Sequence, residues 1–492
     1  MSADFYSIEN LYRQNLSFDE RKEEYDKYSL DDQDSYGKTL FHMAVMYGDS
    51  QILEYLVFKG KIEERTRLFK NDNEDRTPFF MLNKIKNPEN RYEDIKKIME
   101  ILIENKCNLN KRDRSGKLFY HECADSQKYM IFEIMNELGI NYDKVILSDG
   151  FNVLHIVCAS THRIDYLIKD EERYREEEEP YLRTIKAILK SGIDPEIKTA
   201  IGRYAYDLAL DGKNKRACGL LKGVDEDDKS YGISIHDACW RGYFDVVEYL
   251  VENGVDVNEF YEGNNSEFLK MSPLAIASKH LHGDIVKFLI KNGADVCLRN
   301  GETGNSAFYY FAKTLINNRV NIKGAIKVES FKNITKAFLS DEKFLNSFVD
   351  DESHTPINFI CTISHRFNWV EESKGEYIIF EILIDRGADI MIADKYGNTP
   401  LHNLFKNGGD KIGDMTELLM EYGADINYKN IDGNTPLMLL AELRNENQSI
   451  EAIEILEQYD FDKTITNNKG ETALDIALNK GNEKFAEYLL KL

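Results

Sequence analysis

The stretch Asp394-Lys395-Tyr396-Gly397-Asn398-Thr399-Pro400-Leu401-His402 decides the fold. Gly397 permits a tight turn, Thr399 is a natural N-cap, and Pro400 falls at the first helical position, where its missing N–H costs nothing. A turn therefore hands over directly to a helix. The same text returns at Asp432-Gly433-Asn434-Thr435-Pro436-Leu437.

Proline shows how widely this unit is copied. The chain holds 8 prolines, and five of them (Pro78, Pro273, Pro356, Pro400, Pro436) follow Thr or Ser and precede an apolar residue. Weaker copies align by the same logic and give twelve helix starts, at Leu40, Pro78, Phe119, Val153, Ala205, Ser234, Pro273, Ala307, Pro356, Pro400, Pro436 and Ala473, about 39 residues apart on average. A second mark recurs late in the units: Gly254-Val255-Asp256, Gly293-Ala294-Asp295, Gly387-Ala388-Asp389 and Gly423-Ala424-Asp425. Glycine there is the usual stop of a helix. Between the marks, Val246, Val247, Leu250 and Val251, and likewise Ile285, Val286, Leu289 and Ile290, predict a helix apolar on most of its circumference and buried against neighbours on both sides. Each unit reads as turn, short helix, second helix, glycine stop and loop.

These residues resemble the ankyrin repeat family, with its 33-residue unit and Thr-Pro-Leu-His-x-Ala signature. The likeness is closest at Thr399-Pro400-Leu401-His402. It is good at Thr435-Pro436-Leu437, Ser272-Pro273-Leu274-Ala275-Ile276-Ala277 and Thr472-Ala473-Leu474-Asp475-Ile476-Ala477, and partial at Leu40-Phe41-His42-Met43-Ala44, Leu154-His155 and Ile235-His236-Asp237-Ala238. It runs from about Tyr36 to Leu492. The resemblance implies an all-α solenoid of about twelve helix-turn-helix units with short hairpin-like loops. It also implies that the imidazoles at the signature position (His42, His121, His155, His236, His402) bridge backbone groups of adjacent turns.

The breaks in period suggest an organisation. Residues 1–35 form a helical cap, 36–224 a first sub-array, 225–229 an acidic linker, 230–303 central repeats, 304–350 a degenerate repeat, and 351–492 a final sub-array closed by its last helix. The unit from Val153 to Ala205 contains the charged run from Lys169 to Pro180, read as an overlong helix or a charged loop. The unit from Ala307 to Pro356 lacks the glycine stop; Phe331 to Leu339 and Phe344 to Phe348 are expected as irregular helices, and the unit as a soft joint, because repeat stability is a sum of neighbour interfaces.

Composition narrows the function. Lys plus Arg number 63 and Asp plus Glu 86 in 492 residues, for a formal charge of −23. This balance argues against a nucleic-acid backbone or an anionic membrane surface as partner and favours a protein with a basic surface. At 42% hydrophobic the chain can bury a core, so wholesale disorder is excluded. No run reaches the ~18 to 20 apolar residues of a membrane helix, and Met1-Ser2-Ala3-Asp4 lacks the order of a signal peptide, so a cytoplasmic or other intracellular monomer is expected, in a host cytosol if the chain is an effector. Seven scattered cysteines without Cys-x-x-Cys suit reduced thiols. Cys158, Cys239 and Cys361 follow the signature alanine position and read as small buried hydrophobes.

No catalytic, cofactor or metal site is expected. Gly37-Lys38-Thr39 lacks the earlier glycine of a phosphate loop, where Asp32 stands instead. The run from His402 to Gly409 lacks the acidic residue and arginine of a nucleotide-transferring Fic loop, and His402 already belongs to the repeat signature. Function then means recognition on the concave surface of turn tips and first helices. The candidate contacts are Trp240, Arg241 and Tyr243, with packing of the inter-helix turn as the other reading for Tyr243 and its neighbour Phe244; Tyr36, Phe151, Tyr231 and Tyr396 as an aromatic row at hairpin tips; and Trp369 in the loop from His365 to Gly375. The alternative reading is a scaffold that delivers an enzyme or holds a small molecule in a pocket at the degenerate unit.

Overall fold

The computed structural model describes residues 5–14, 16–63, 68–142, 146–160, 171–225, 227–263, 266–301, 303–317, 325–364 and 375–491. Eleven of the twelve expected starts are the first residue of a helix, and Ser234 is the N-cap of Ile235–Arg241, its hydroxyl accepting the Asp237 N–H at 3.0 Å. Pro78 opens a 3-10 helix, Pro78–Lys84, and not an α-helix. Among the described residues there is no strand, only an isolated bridge between Arg299 and Ser306.

The chain divides into two compact units, Met1–Gly232 and Ile233–Leu492. In the first, helices Tyr6–Leu11 and Phe18–Tyr25 cover the opening repeat. Asp49 ties them down: its Oδ2 accepts Tyr12 Oη at 3.0 Å and Arg21 Nε at 2.8 Å. Five helical pairs follow, beginning with Leu40–Met46 and Ser50–Ile62 and ending with Ala205–Asp211 and Lys215–Lys222. The charged run becomes the long helix Glu171–Lys190, with Pro180 inside it. In the second unit, seven pairs run from Ile235–Arg241 and Phe244–Glu252 to Ala473–Lys480 and Glu483–Lys491. Within each unit, first helices pack on first helices and second on second, so each apolar helix is covered by its neighbours.

The stop glycines adopt the left-handed backbone that their lack of a Cβ allows, with φ of +85° at Gly254 and +90° at Gly423. Successive hairpins are joined by side chains: Asn430 Nδ2 donates to Asn398 Oδ1 at 2.8 Å, and Asn467 Nδ2 to Asn434 Oδ1 at 3.0 Å. His42, His155, His236 and His402 bridge to the next hairpin as the resemblance implied, whereas His121 bonds within its own turn, Nδ1 accepting the Leu118 N–H at 3.1 Å. His402 Nδ1 accepts the Thr399 N–H at 3.2 Å while Nε2 donates to the Asn434 carbonyl at 3.1 Å, and His42 does the same between Thr39 and Arg76. Burial pushes both imidazoles down to about 4, so they are neutral at pH 7. His155 and His236 reach the carbonyls of Ile197 and Glu259, each at 3.0 Å.

The degenerate repeat differs from expectation. Helices Ala307–Asn317 and Ala325–Phe338 are present, but Phe344 to Phe348 is a chain of turns. Phenylalanine replaces the missing pattern: Phe308, Phe338 and Phe344 meet pairwise at 5.1 to 5.7 Å, with Phe311 and Phe331 beside them. The Phe344 ring, held in the turn after the second helix, packs against both helices of the unit. That interior also reaches its neighbours, since Thr314 Oγ1 donates to the Lys279 carbonyl at 2.9 Å and Tyr309 lies 4.9 Å from Phe359.

Candidate functional site

Helix Ile235–Arg241 ends at Gly242, whose φ of +78° turns the chain back so quickly that Trp240 and Arg241 sit at the very end of the helix. Both are half-buried. The Arg241 guanidinium lies 3.5 Å from the centroid of the Trp240 ring, a cation–π contact. Trp240 also meets Phe268 edge-on at 5.1 Å.

Phe268 arrives from a long hairpin closed by two backbone bonds of 2.9 Å, Tyr261 N–H to Met271 and Lys270 N–H to Tyr261. Lys279, paired with Glu267 at 2.8 Å, places its ammonium 5.4 Å above the Phe268 ring. Two histidines complete the cluster. His282 Nε2 donates to the Trp240 carbonyl at 3.0 Å and its ring stacks on His280 at 6.3 Å. Burial, then the charges of His282 and Lys279, push His280 down to about 4, so its ring is neutral at pH 7. Its Nε2 is shielded from solvent and has no hydrogen-bond partner among the described residues. An indole, a stacked guanidinium and an imidazole with an unused ring nitrogen thus share one patch, able to cover an apolar group and bond a polar one.

The other expected contacts fall differently. Tyr243 is buried, 8% exposed, beside Phe244, whose ring packs 5.3 Å from Phe288, so this pair fills the inter-helix turn. Tyr36 and Tyr396 stand out at their hairpins, 67% and 47% exposed. Their carbonyls accept the N–H of Asn73 and Ile431 in the next hairpin. Phe151 is half-buried, its ring 5.6 Å from His155. Tyr231 lies against Gly219 of helix Lys215–Lys222, its Cα 3.5 Å from where a Cβ of residue 219 would stand. Its side chain is therefore set against a second helix, apart from the hairpin positions of Tyr36 and Phe151. Trp369 lies outside the described residues.

Sequence reasoning missed Phe268, His280 and His282. One signal was present: Gly254 to Pro273 is six residues longer than Gly387 to Pro400 or Gly423 to Pro436, which marks an extended hairpin.

Comparison with known proteins fits this repeat geometry. A profile of three consecutive ankyrin repeats matches residues 209–300, 369–447 and 410–492, and a single-repeat profile matches 36–63. The chain belongs to the ankyrin repeat family. A curated ankyrin repeat relative, the putative ankyrin repeat protein FPV031 of fowlpox virus (strain NVSL), is 38% identical over 85 residues, 17% of this chain. The match spans 23% of that relative's length. Ankyrin repeats are in general protein–protein interaction modules, and ankyrin repeat proteins are typically non-enzymatic. Among the described residues, no helix is long and apolar enough to cross a membrane.

Proposed function

We propose that this ankyrin repeat chain is a non-enzymatic adaptor or inhibitory scaffold that holds a partner protein on its first helices and hairpins, with Trp240 and Arg241 at the centre of the contact. The observation that carries this reading is the half-buried Trp240–Arg241 stack beside the unused Nε2 of His280. Trp and Arg dominate interface energetics, and a shielded polar atom without a partner gains a hydrogen bond on binding. Tyr396 in the second unit and Tyr36, Phe151 and Tyr231 in the first are further candidate contacts, of which Tyr36 and Tyr396 are exposed. The charge of −23 favours a partner with a basic surface and an encounter that slows with salt. The acidic 225–229 stretch, next to the boundary between the compact units, acts as the linker between sub-arrays. We place the protein inside cells, where its thiols stay reduced.

The test is capture from the native cell with wild-type chain and with Trp240→Ala/Arg241→Ala. A partner lost by the variant, while its helical circular dichroism is unchanged, supports the reading. A variant that keeps every specifically captured protein overturns the choice of face. The alternative of a ligand pocket in the degenerate unit gains no support from the interior described there, which phenylalanine rings fill.

A further inference from the structure

The cations of the first unit hold a feature that neither the repeat pattern nor the recognition cluster explains. A cavity of about 700 Å³ is lined by Arg13, Lys38, Arg76, Lys84, Lys86 and Arg91, with Glu9 as its single carboxylate. Tyr12, Tyr47, Met46 and Met81 supply the rest of its wall, together with Asn87 and Asn90.

The cavity exists because the second repeat is irregular. At Gly242 the helices of a pair are joined by a tight turn. In the second repeat the 3-10 helix ends at Ile85, and the connection runs on through Asn87, at φ +48°, into a second short 3-10 helix, Pro88–Arg91. That detour carries Lys86 and Arg91 round to face Lys38 and Arg13. Gly48 leaves room for the Arg91 guanidinium, which donates to the Tyr47 carbonyl; a Cβ on Gly48 would stand 2.6 Å from it. Arg76 is fixed by its fork on buried Asp72, with both bonds at 2.9 Å. Tyr12 and Tyr47 stack at 4.2 Å to make a flat side wall.

In a chain with 86 acidic against 63 basic residues, cations should find carboxylates easily. Lys59, Lys96 and Lys97 of the same unit do so. Arg13, Lys38, Lys84 and Lys86, by contrast, have no ion-pair partner among the described residues. Like charges gathered around one space raise each other's energy, and a bound anion removes that cost. The adjoining cavity, which shares Tyr12, Arg13 and Arg91, holds Asp49 and Asp94 among its cations and so lacks the same charge.

We propose that this cavity is a binding site for a compact, soluble polyanion carrying two or more clustered phosphate groups. Its volume suits a small molecule, in the range of about 300–1,000 Å³. Setting aside Arg76, which Asp72 holds, five cations exceed what one carboxylate needs, and the planar guanidiniums of Arg13 and Arg91 match phosphate oxygens. The acidity of the chain as a whole disfavours a long nucleic acid or an anionic membrane, leaving an anion small enough to enter alone.

The experiment is isothermal titration of the full chain with sodium tripolyphosphate, with hexaglutamate peptide as comparator, at low and at physiological salt. Saturable tripolyphosphate binding, weakened at least tenfold by exposed Lys84→Ala/Lys86→Ala and unchanged by Lys287→Ala/Lys291→Ala in the second unit, which do not line the cavity, supports the site. Matched circular dichroism and melting of the variants show that folding is not the cause. No saturable heat at millimolar tripolyphosphate, or equal binding by both double variants, overturns the proposal. Tighter binding of hexaglutamate than of tripolyphosphate overturns the phosphate class, and sedimentation with phosphatidylinositol bisphosphate vesicles without tripolyphosphate binding overturns its solubility.

Discussion

His354 directs its Nε2 at Asp394 Oδ2 in the following hairpin, 3.5 Å away, while its Nδ1 meets Asp350 Oδ2 at 2.8 Å. It occupies the place that asparagine takes at 398 and 434, so a charged clasp replaces one rung of the amide ladder between hairpins. Burial opposes a charge on the ring, but hydrogen bonds to Asp350 and Asp394 outweigh it and raise His354 to about 9. Asp394 is held at about 2, its own burial outweighed by bonds from His354 and Asn403. The folded value of His354 lies above the unfolded one, near 6.5. Its contribution is therefore complete below pH 6.5 and lost as pH rises through 9. We expect a decline on the order of a few kcal/mol over that window. His354→Asn should flatten it, as read by urea unfolding at pH 6, 7.5 and 9.

The signature imidazoles carry the opposite sign. His42 and His402 are folded as neutral rings with values near 4, so their contribution is complete above pH 6.5 and fades as pH falls towards 4. His402→Ala leaves the buried Thr399 amide and Asn434 carbonyl short of a partner. A loss of about 1–3 kcal/mol is expected at neutral pH, with a weaker acid dependence, measured by the same urea titration.

Gly242→Ala should disturb the recognition cluster through His282 without replacing any of its side chains. The new Cβ would stand 2.7 Å from His282 Cε1 at a φ of +78°. About 1–2 kcal/mol of stability is lost to the left-handed backbone alone, and His282 is pushed off the Trp240 carbonyl. A shift in tryptophan fluorescence on substitution is the check; an unchanged spectrum would mean that His282 gives way freely.

Phe344→Ala removes a fully buried ring that lies in a turn and touches Phe308 and Phe338. A cost of about 3–5 kcal/mol is expected from denaturant unfolding, as in a helical core. A cost below about 1 kcal/mol would restore the picture of a soft joint.

Thiol chemistry should be nearly silent in the native state. Cys107, Cys123, Cys158, Cys218, Cys239 and Cys361 are buried and Cys297 is half-buried. Burial pushes the Cys107 and Cys158 thiols up to about 12, and those of Cys123, Cys239 and Cys361 higher still. Aromatic disulfide reagents should modify Cys297 alone at an appreciable rate, and all 7 cysteines after unfolding.

The sequence made the repeat legible because its punctuation is chemical. A proline after Thr or Ser, a glycine with positive φ and a histidine three residues after the cap each answer a backbone need that the fold repeats, and the first helix of each repeat could be placed from them to within a residue. What it could not reveal lies where distant segments converge. Tyr243 and Trp240 are near neighbours in one aromatic run, and only packing separates the buried ring from the half-buried one. His280 joins Trp240 from the next repeat, and the basic cavity draws on the cap, two hairpins and an irregular connection, none of which is patterned. The turn at Phe344 escaped for a related reason: a single apolar residue carries no period.

The rungs between hairpins also set how the chain yields to a load. Asn467 to Asn434 and Asn430 to Asn398 are among the short bonds that link consecutive repeats, echoed at the loops after the second helices by Asp462 N–H to Asn427 Oδ1 at 2.9 Å and Asp389 N–H to Asn346 Oδ1 at 2.9 Å. A pull from the C-terminal end meets these fastenings one repeat at a time. The second unit should peel like stitches, each repeat releasing its own length before the next gives way.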